Sequence, residues 1–421
     1  MMPFSVLRVW GLGLLGWTLL GVGLYLAALT YQEFQPPQRI VEPGPNRRRG
    51  DESVVVSETV TAPPDDWKRW ALLAGAIACL GTSVGGYWPV RLLLGNPETE
   101  AVPTISPTKV LSLDRPDGSK LHIEVYGDDG RPTLLFTHGW TLDSSAWDYV
   151  KPDLINKYRL VMWDLAGLGN STGPKNRDHS IEKMAHDLAA VIDATSTPSR
   201  TPFFLIGHSI GGMIQQTFCR VHREYLQNTV KGMVLVHTTY TNPVRTNLAH
   251  TLMTAIEKPV LVPLNYLTIV LAPLAWLSNW QSYLNGSLHI SSRFTSFSGK
   301  QTRRQLDHGA RLLAQAWPAT VARGNFGMTA FDEEQTLPKI DIPVLVIGGQ
   351  YDRLTICSAS DHIGELLPKP QNVRIGSGHF GHWELCHSVA KSIDEFARAN
   401  SASFTDSAVH ENDHRCRVPA I

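Results

Sequence analysis

The chain has 421 residues, and its 38 Lys and Arg balance 38 Asp and Glu to a formal net charge of zero. No basic excess points to a polyanion, which argues against nucleic acid as a partner. The five cysteines are odd in number and form no CxxC pair, which argues against a disulfide framework or a zinc site.

The length accommodates one large catalytic domain and further segments. Residues 9–32 carry no charge and are rich in leucine. Roughly 20 apolar residues cross a bilayer. A cleaved signal peptide is the competing reading, but its apolar core runs only about 7–15 residues before a small-residue cleavage site. This run is longer and no A-x-A follows it, so residues 1–32 are expected to be an anchor.

A second run, residues 70–94, is interrupted only by Arg91, with Trp67, Trp70, Tyr87 and Trp88 near its two ends. Such aromatics settle at membrane interfaces, so residues 67–95 are expected to be a second span. Gly81 and Gly85 have the GxxxG spacing that permits close helix packing. Between the runs, residues 33–66 hold six prolines and Arg47, Arg48 and Arg49, and few large apolar residues. A disordered loop is expected there, one whose arginines can touch anionic headgroups. Its excess of Lys and Arg places it in the cytoplasm by the positive-inside rule. Two spans then put the catalytic domain on the extracytoplasmic face, after a linker at 96–108.

From about residue 105 short β-rich runs alternate with helical ones. Strands are expected at 110–114, 121–126, 133–137, 160–163, 203–206, 233–237, 344–347 and 373–375. The later runs are almost wholly apolar, as in parallel strands buried on both faces. Apolar residues at helical spacing mark 181–194, which Ser180 caps, and helices are also read at 213–221 and 389–396. Alternating β and α implies a doubly wound, mostly parallel sheet. Its core is split into 109–240 and 339–400 by an insert, 241–338, expected to be a helical cap. Within the insert, residues 259–288 carry no charge, and Pro259, Pro263 and Pro273 break any single helix. This oily stretch reads as a cap lining for an apolar substrate, as a piece that dips into the bilayer, or as the cap's own core. The polar tail, 401–421, is expected to be disordered.

The chemistry centres on Gly207-His208-Ser209-Ile210-Gly211, which follows a strand and precedes a helix. That is G-x-S-x-G at a sharp strand-to-helix turn, which lifts the serine oxygen above the sheet. His208 is expected to pack or hydrogen-bond locally. A serine hydroxyl needs a base, and one is expected after the last strand, in Gly378-His379-Phe380-Gly381-His382. His379 is the expected base and His382 its competitor. Asp352, after the strand at 344–347, is the expected acid that orients the base, and the order Ser, Asp, His is that of this fold's triads. An oxyanion hole needs two donors. They are expected to be the N–H of Ile210 and, from His138-Gly139-Trp140, the N–H of Trp140. His138 and Asp143 also show an H-x4-D spacing known from acyltransferases, read here as coincidence.

His138-Gly139-Trp140, Asp164-Leu165-Ala166-Gly167-Leu168-Gly169-Asn170-Ser171, the serine elbow, Gly348-Gly349-Gln350-Tyr351-Asp352 and Gly378-His379 together resemble the α/β-hydrolase superfamily. The resemblance covers roughly residues 105–400. Ala166 departs from the basic residue many relatives carry in a turn whose role is structural. Serine rather than aspartate at the nucleophile position argues against epoxide hydrolase and dehalogenase chemistry. The resemblance implies ester hydrolysis through an acyl-enzyme, with no metal or organic cofactor. The anchor and the oily insert point to a small apolar acyl ester, such as a monoacylglycerol, and to the lipid bilayer as a partner. Acyl transfer, thioester hydrolysis, cofactor-free peroxidation, C–C bond hydrolysis and a catalytically silent scaffold are the alternatives on the same fold.

Overall fold

A computed structural model describes residues 2–35, 40–42, 57–59, 66–98, 102–197 and 201–413. Three helices lead: α1 (Met2–Glu33), α2 (Asp66–Gly85) and α3 (Tyr87–Leu94). Among the described residues one helix, Ser5–Glu33, is by itself long and apolar enough to cross a membrane. The expected second span does not form as one rod, because α2 and α3 meet at 68°. The break falls at Gly85-Gly86. A side chain on Gly86 would lie 2.5 Å from the carbonyl oxygen of Asn285, and Pro89 lacks the N–H that would bond back to residue 85.

The GxxxG spacing is not used as expected, since nothing lies within 4 Å of a Cβ built on Gly81 or Gly85. Close helix approach runs instead through Gly23 of α1, against Leu80 and Cys79 of α2. Inside the stretch expected to be disordered, Ile40–Glu42 pairs antiparallel with Ser57–Thr59. The rest of that loop, with Arg47, Arg48 and Arg49, lies outside the described residues.

The catalytic region is built on an eight-stranded sheet: β1 (Lys109–Asp114), β2 (Lys120–Tyr126), β3 (Thr133–Thr137), β4 (Arg159–Trp163), β5 (Phe203–His208), β6 (Val230–Val236), β7 (Val344–Gly349) and β8 (Pro370–Ile375). The spatial order is β8-β7-β6-β5-β3-β4-β2-β1. β1 and β2 run antiparallel to their neighbours, and the other pairs are parallel. The eight expected strands are these eight. β3, β4, β5 and β7 are buried along their whole length, which is why they read as continuous apolar runs.

One face of the sheet is covered by α4 (Ile181–Thr195) and α5 (Ile210–Val221), through Met184, Leu188, Ile192, Ile214 and Phe218. Ser180 accepts from the N–H of Lys183 and caps α4. Each fully buried Leu, Ile, Phe or Met there stabilises the fold by about 1.5–3 kcal/mol.

The insert between β6 and β7 is helical: α6 (His250–Ile256), α7 (Val262–Val270), α8 (Ala272–Leu284), α9 (Ser287–Ser296), α10 (Arg303–Gln315) and α11 (Pro318–Thr329). α12 (Cys357–Leu366) and α13 (Cys386–Asp413) follow in the second part of the core. α13 packs Val389, Ile393 and Phe396 on the other face of the sheet. It runs into the tail expected to lack structure, because neither Gly nor Pro interrupts residues 386–413. Residues 414–421 lie outside the described ones.

Candidate active site

Ser209 sits between β5 and α5 with φ +54° and ψ −117°, a backbone conformation a serine rarely adopts. The elbow leaves no room for side chains. A Cβ on Gly207 would lie 2.5 Å from the backbone of Gly211, and one on Gly211 would lie 2.4 Å from the carbonyl oxygen of Thr137. The turn is pinned by Ser209 N–H donating to Val236 O at 2.9 Å and by Thr238 Oγ1 donating to Ser209 O at 2.6 Å.

The structure brings Asp352 and His379 together, with Nδ1 of the ring donating to Oδ2 of the carboxylate at 2.8 Å. Asp352 follows β7, and His379 lies in the loop after β8. The second carboxylate oxygen accepts the N–H groups of Leu354 and Thr355 at 2.8 and 3.0 Å, and Thr355 Oγ1 donates to Oδ2 at 2.8 Å. Burial pushes the Asp352 carboxyl up, but the facing His379, the bond to it, His237 and the Thr355 N–H outweigh burial and hold it below its ordinary value. Asp352 is therefore a carboxylate that holds the Nδ1–H of His379. Nε2 of His379 has no hydrogen-bond partner among the described residues, and Ser209 keeps a little exposure.

His382 is not in this constellation. Both its ring nitrogens lack partners among the described residues, and its ring packs 4.2 Å from His208 and 4.9 Å from Trp147. Burial first, then His237 and His379, push it well below its ordinary value, so it is a neutral core group.

The N–H groups of Trp140 and Ile210 make no bond among the described residues. Ile210 is the first residue of α5, where the N–H has no helical acceptor. Thr141, next to Trp140, has φ +69°, and the Trp140 indole is fixed by a 3.2 Å bond to Val321 O. His138 donates from Nδ1 to Gly139 O at 2.8 Å and accepts the Leu165 N–H at Nε2 at 2.9 Å. Asp143 accepts the Ser145 N–H. The H-x4-D pair is thus consumed in tying the Trp140 loop in place. Asp164 accepts the N–H groups of Ser144 and Asn170 and closes the turn that carries Ala166.

Several contributors were not read from the sequence. His208 bonds not locally but to the main-chain oxygen of His379, 171 residues away, at 2.9 Å. His237, with φ +47°, places Nδ1 4.0 Å from Asp352. Glu384 accepts four N–H groups, those of Ser298, Gly299 and Lys300 from the cap and Gly378 beside the base. Only Thr355 had a local signal, because an Asp side chain commonly accepts from residues two and three further on. Among the described residues no group of three His, Cys, Asp or Glu is arranged to hold a metal ion.

The family described as Hydrolase_4, serine aminopeptidase S33, matches residues 128–379. A probable oxidoreductase, EphD, of Mycobacterium tuberculosis is 23% identical over 68% of this chain and 49% of its own length. The chain thus spans about half the length of that relative. A putative carbamate hydrolase, RutD, of Stutzerimonas stutzeri is 24% identical over 62% of this chain and 89% of that protein. Among solved structures, a thermophilic esterase from Thermogutta terrifontis superposes with a TM-score of 0.56, at 22% identity, over 70% of this chain and 100% of that one. That likeness identifies the fold.

Proposed function

This chain belongs to the Hydrolase_4 family, serine aminopeptidase S33, and from that premise we propose that it is a membrane-anchored serine hydrolase cleaving lipid-like carboxylic esters. The observation that carries the reading is the Asp352–His379 pair at 2.8 Å in a fold whose elbow holds Ser209 in a strained turn.

The chemistry follows from the groups present. Ser209 Oγ attacks the ester carbonyl carbon while His379 Nε2 takes its proton. The carbonyl oxygen becomes an oxyanion received by the N–H groups of Ile210 and Trp140. His379, now an imidazolium held by Asp352, passes the proton to the departing alkoxide, and the alcohol leaves an acyl-serine. Water then gives a proton to His379 as its oxygen attacks the acyl carbon. The acid departs and Oγ regains the proton. Asp352 stays ionised throughout.

The lipid-like substrate is supported by the apolar insert and by α1, which is apolar enough to cross a bilayer. α2 and α3 together supply a second, bent crossing, and the arginine-bearing loop between it and α1 faces the cytoplasm. That arrangement leaves the catalytic region on the opposite side.

The test is acid release from monoacylglycerols in vesicles and from a short water-soluble ester. The intact chain is expected to hydrolyse the vesicle-borne ester, and Ser209→Ala to hydrolyse neither. Turnover that survives in Ser209→Ala contradicts the assignment.

A further inference from the structure

The cap helices α7 and α8 are inside out for a surface that faces water. Their polar residues Asn265, Thr268, Ser278, Asn279, Gln281 and Ser282 are buried. The large apolar residues Tyr266, Leu267, Val270, Leu274 and Leu277 are exposed, Val270 to 75%. A surface helix normally turns its apolar stripe inward and its charges outward. Here residues 259–288 carry no charge. The two arms, His250–Val270 and Ala272–Leu284, together have the apolar composition of a membrane segment but meet at 100°, the shape of a broken span or of a re-entrant element.

The buried polar residues show what this element is joined to. Trp10 and Trp17 of α1 donate to Thr268 Oγ1 and Ser278 Oγ at 2.9 and 3.0 Å. Gly13 and Gly16 leave no space for side chains against Ser278 and Gln281. Gln281 Nε2 donates to Ser83 Oγ of α2 at 2.6 Å. Small residues in close approach and polar side chains bonding across helices are the packing mode of membrane bundles.

The helical rise then sets the depth. From Trp10 to Gln32, α1 extends about 33 Å at 1.5 Å per residue, which matches a hydrocarbon core of about 30 Å. Contacts at residues 13–17 hold α8 about 5–10 Å inside the Trp10 end, the depth of an interfacial helix.

We infer that α7 and α8 are immersed in the lipid leaflet that the first half of α1 crosses, so that the cap is a monotopic membrane element. The inference rests on the reading of α1 as a membrane span. It commits the exposed apolar face to phospholipid acyl chains. Thr141, next to Trp140 in the chain, lines a small crevice with Val6, Val9 and Thr268 at the seam between α1 and the cap.

The experiment uses the full chain in phosphatidylcholine vesicles, with its native cysteines replaced by alanine and a nitrobenzoxadiazole label at one introduced cysteine. Leu24→Cys reports on α1, Val270→Cys and Leu277→Cys on the cap, and Tyr351→Cys on the core, where the side chain is 58% exposed. With spin-labelled lipid, the Leu24, Val270 and Leu277 probes are expected to lose roughly half of their emission and the Tyr351 probe to keep it. Two cap positions guard against one variant failing to fold, checked by its thermal melt. Quenching at Leu24 with none at Val270 and Leu277 overturns the inference and leaves the anchor standing. A blue-shifted but unquenched cap probe overturns it in favour of a protein partner. No quenching at Leu24 removes the anchor and the inference with it.

Discussion

Nε2 of His208 donates to the main-chain oxygen of His379 at 2.9 Å, so the residue before Ser209 holds the backbone of the proposed base. Burial first, then His382, His379 and His237, push His208 well below its ordinary value. It is therefore neutral, and the proton on Nε2 is the one the carbonyl requires. His208→Ala is expected to lower kcat by about 10–100-fold through displacement of the base, with KM little changed. His208→Asn, which keeps a donor, is expected to recover part of the loss. Steady-state kinetics on a soluble ester measure both, and an unchanged kcat in the alanine variant would contradict the tether.

Gly324 lies under the indole of Trp140, where a Cβ would stand 2.1 Å from Cζ2. The ring is fully buried and its Nε1 is committed to Val321 O, so it has no free volume to move into. Gly324→Ala is therefore expected to shift Trp140 and with it the main-chain N–H proposed to receive the oxyanion. Loss of one such donor costs about 10²–10³-fold in kcat. The same chain is expected to keep its slow Ser209 phosphonylation at a reduced rate. Wild-type turnover in Gly324→Ala would remove Trp140 from the oxyanion hole.

Buried histidines set the acid limit of the fold. His237 and His179 are each pushed down to about 4, chiefly by burial, and His208 and His382 are held well below 6.5. As pH falls below 6.5 the unfolded chain protonates these rings while the folded chain does not. The unfolded state then binds more protons, and stability declines down to about pH 4. His237 alone contributes a loss of about 3 kcal/mol over that window. Asp352, held below its ordinary 3.8, keeps its contribution above that value and loses it only as pH falls through the lowered one. Melting temperatures in detergent are expected to fall steadily from about pH 6.5 to about pH 4. A melt that stays flat until pH 4 would contradict the account.

Glu384 joins the cap to the base loop by accepting N–H groups from Ser298, Gly299, Lys300 and Gly378. Glu384→Ala leaves these donors to water where water reaches them, and is expected to cost about 1–3 kcal/mol. Glu384→Gln turns an amide N–H toward one of the donors and is expected to retain only part of the stability. Denaturant melts of both variants check this, and equal stability of all three chains would contradict it.

The sheet was legible because β3, β4, β5 and β7 are buried on both faces and leave unbroken apolar runs. The places of Ser209, Asp352 and His379 in the fold were legible because each follows a strand. What the sequence hid is tertiary. Nothing near His208 signals a partner 171 residues away. The break at Gly86 depends on the carbonyl of Asn285, in a cap read as a separate unit. Gly13 and Gly16, not Gly81 and Gly85, meet a neighbouring helix, because α8 lies against that stretch of α1. Hydropathy marked residues 259–288 as oily, but it could not show that their polar residues face α1 and α2.

The most direct measurement is covalent labelling by a fluorophosphonate in detergent, comparing the intact chain with Ser209→Ala. The account predicts a phosphonyl adduct on Ser209 in the intact chain and none in the variant, with both chains sharing one melting profile. An intact, folded chain that takes up no label, or a variant that labels equally, would contradict an activated serine at this site.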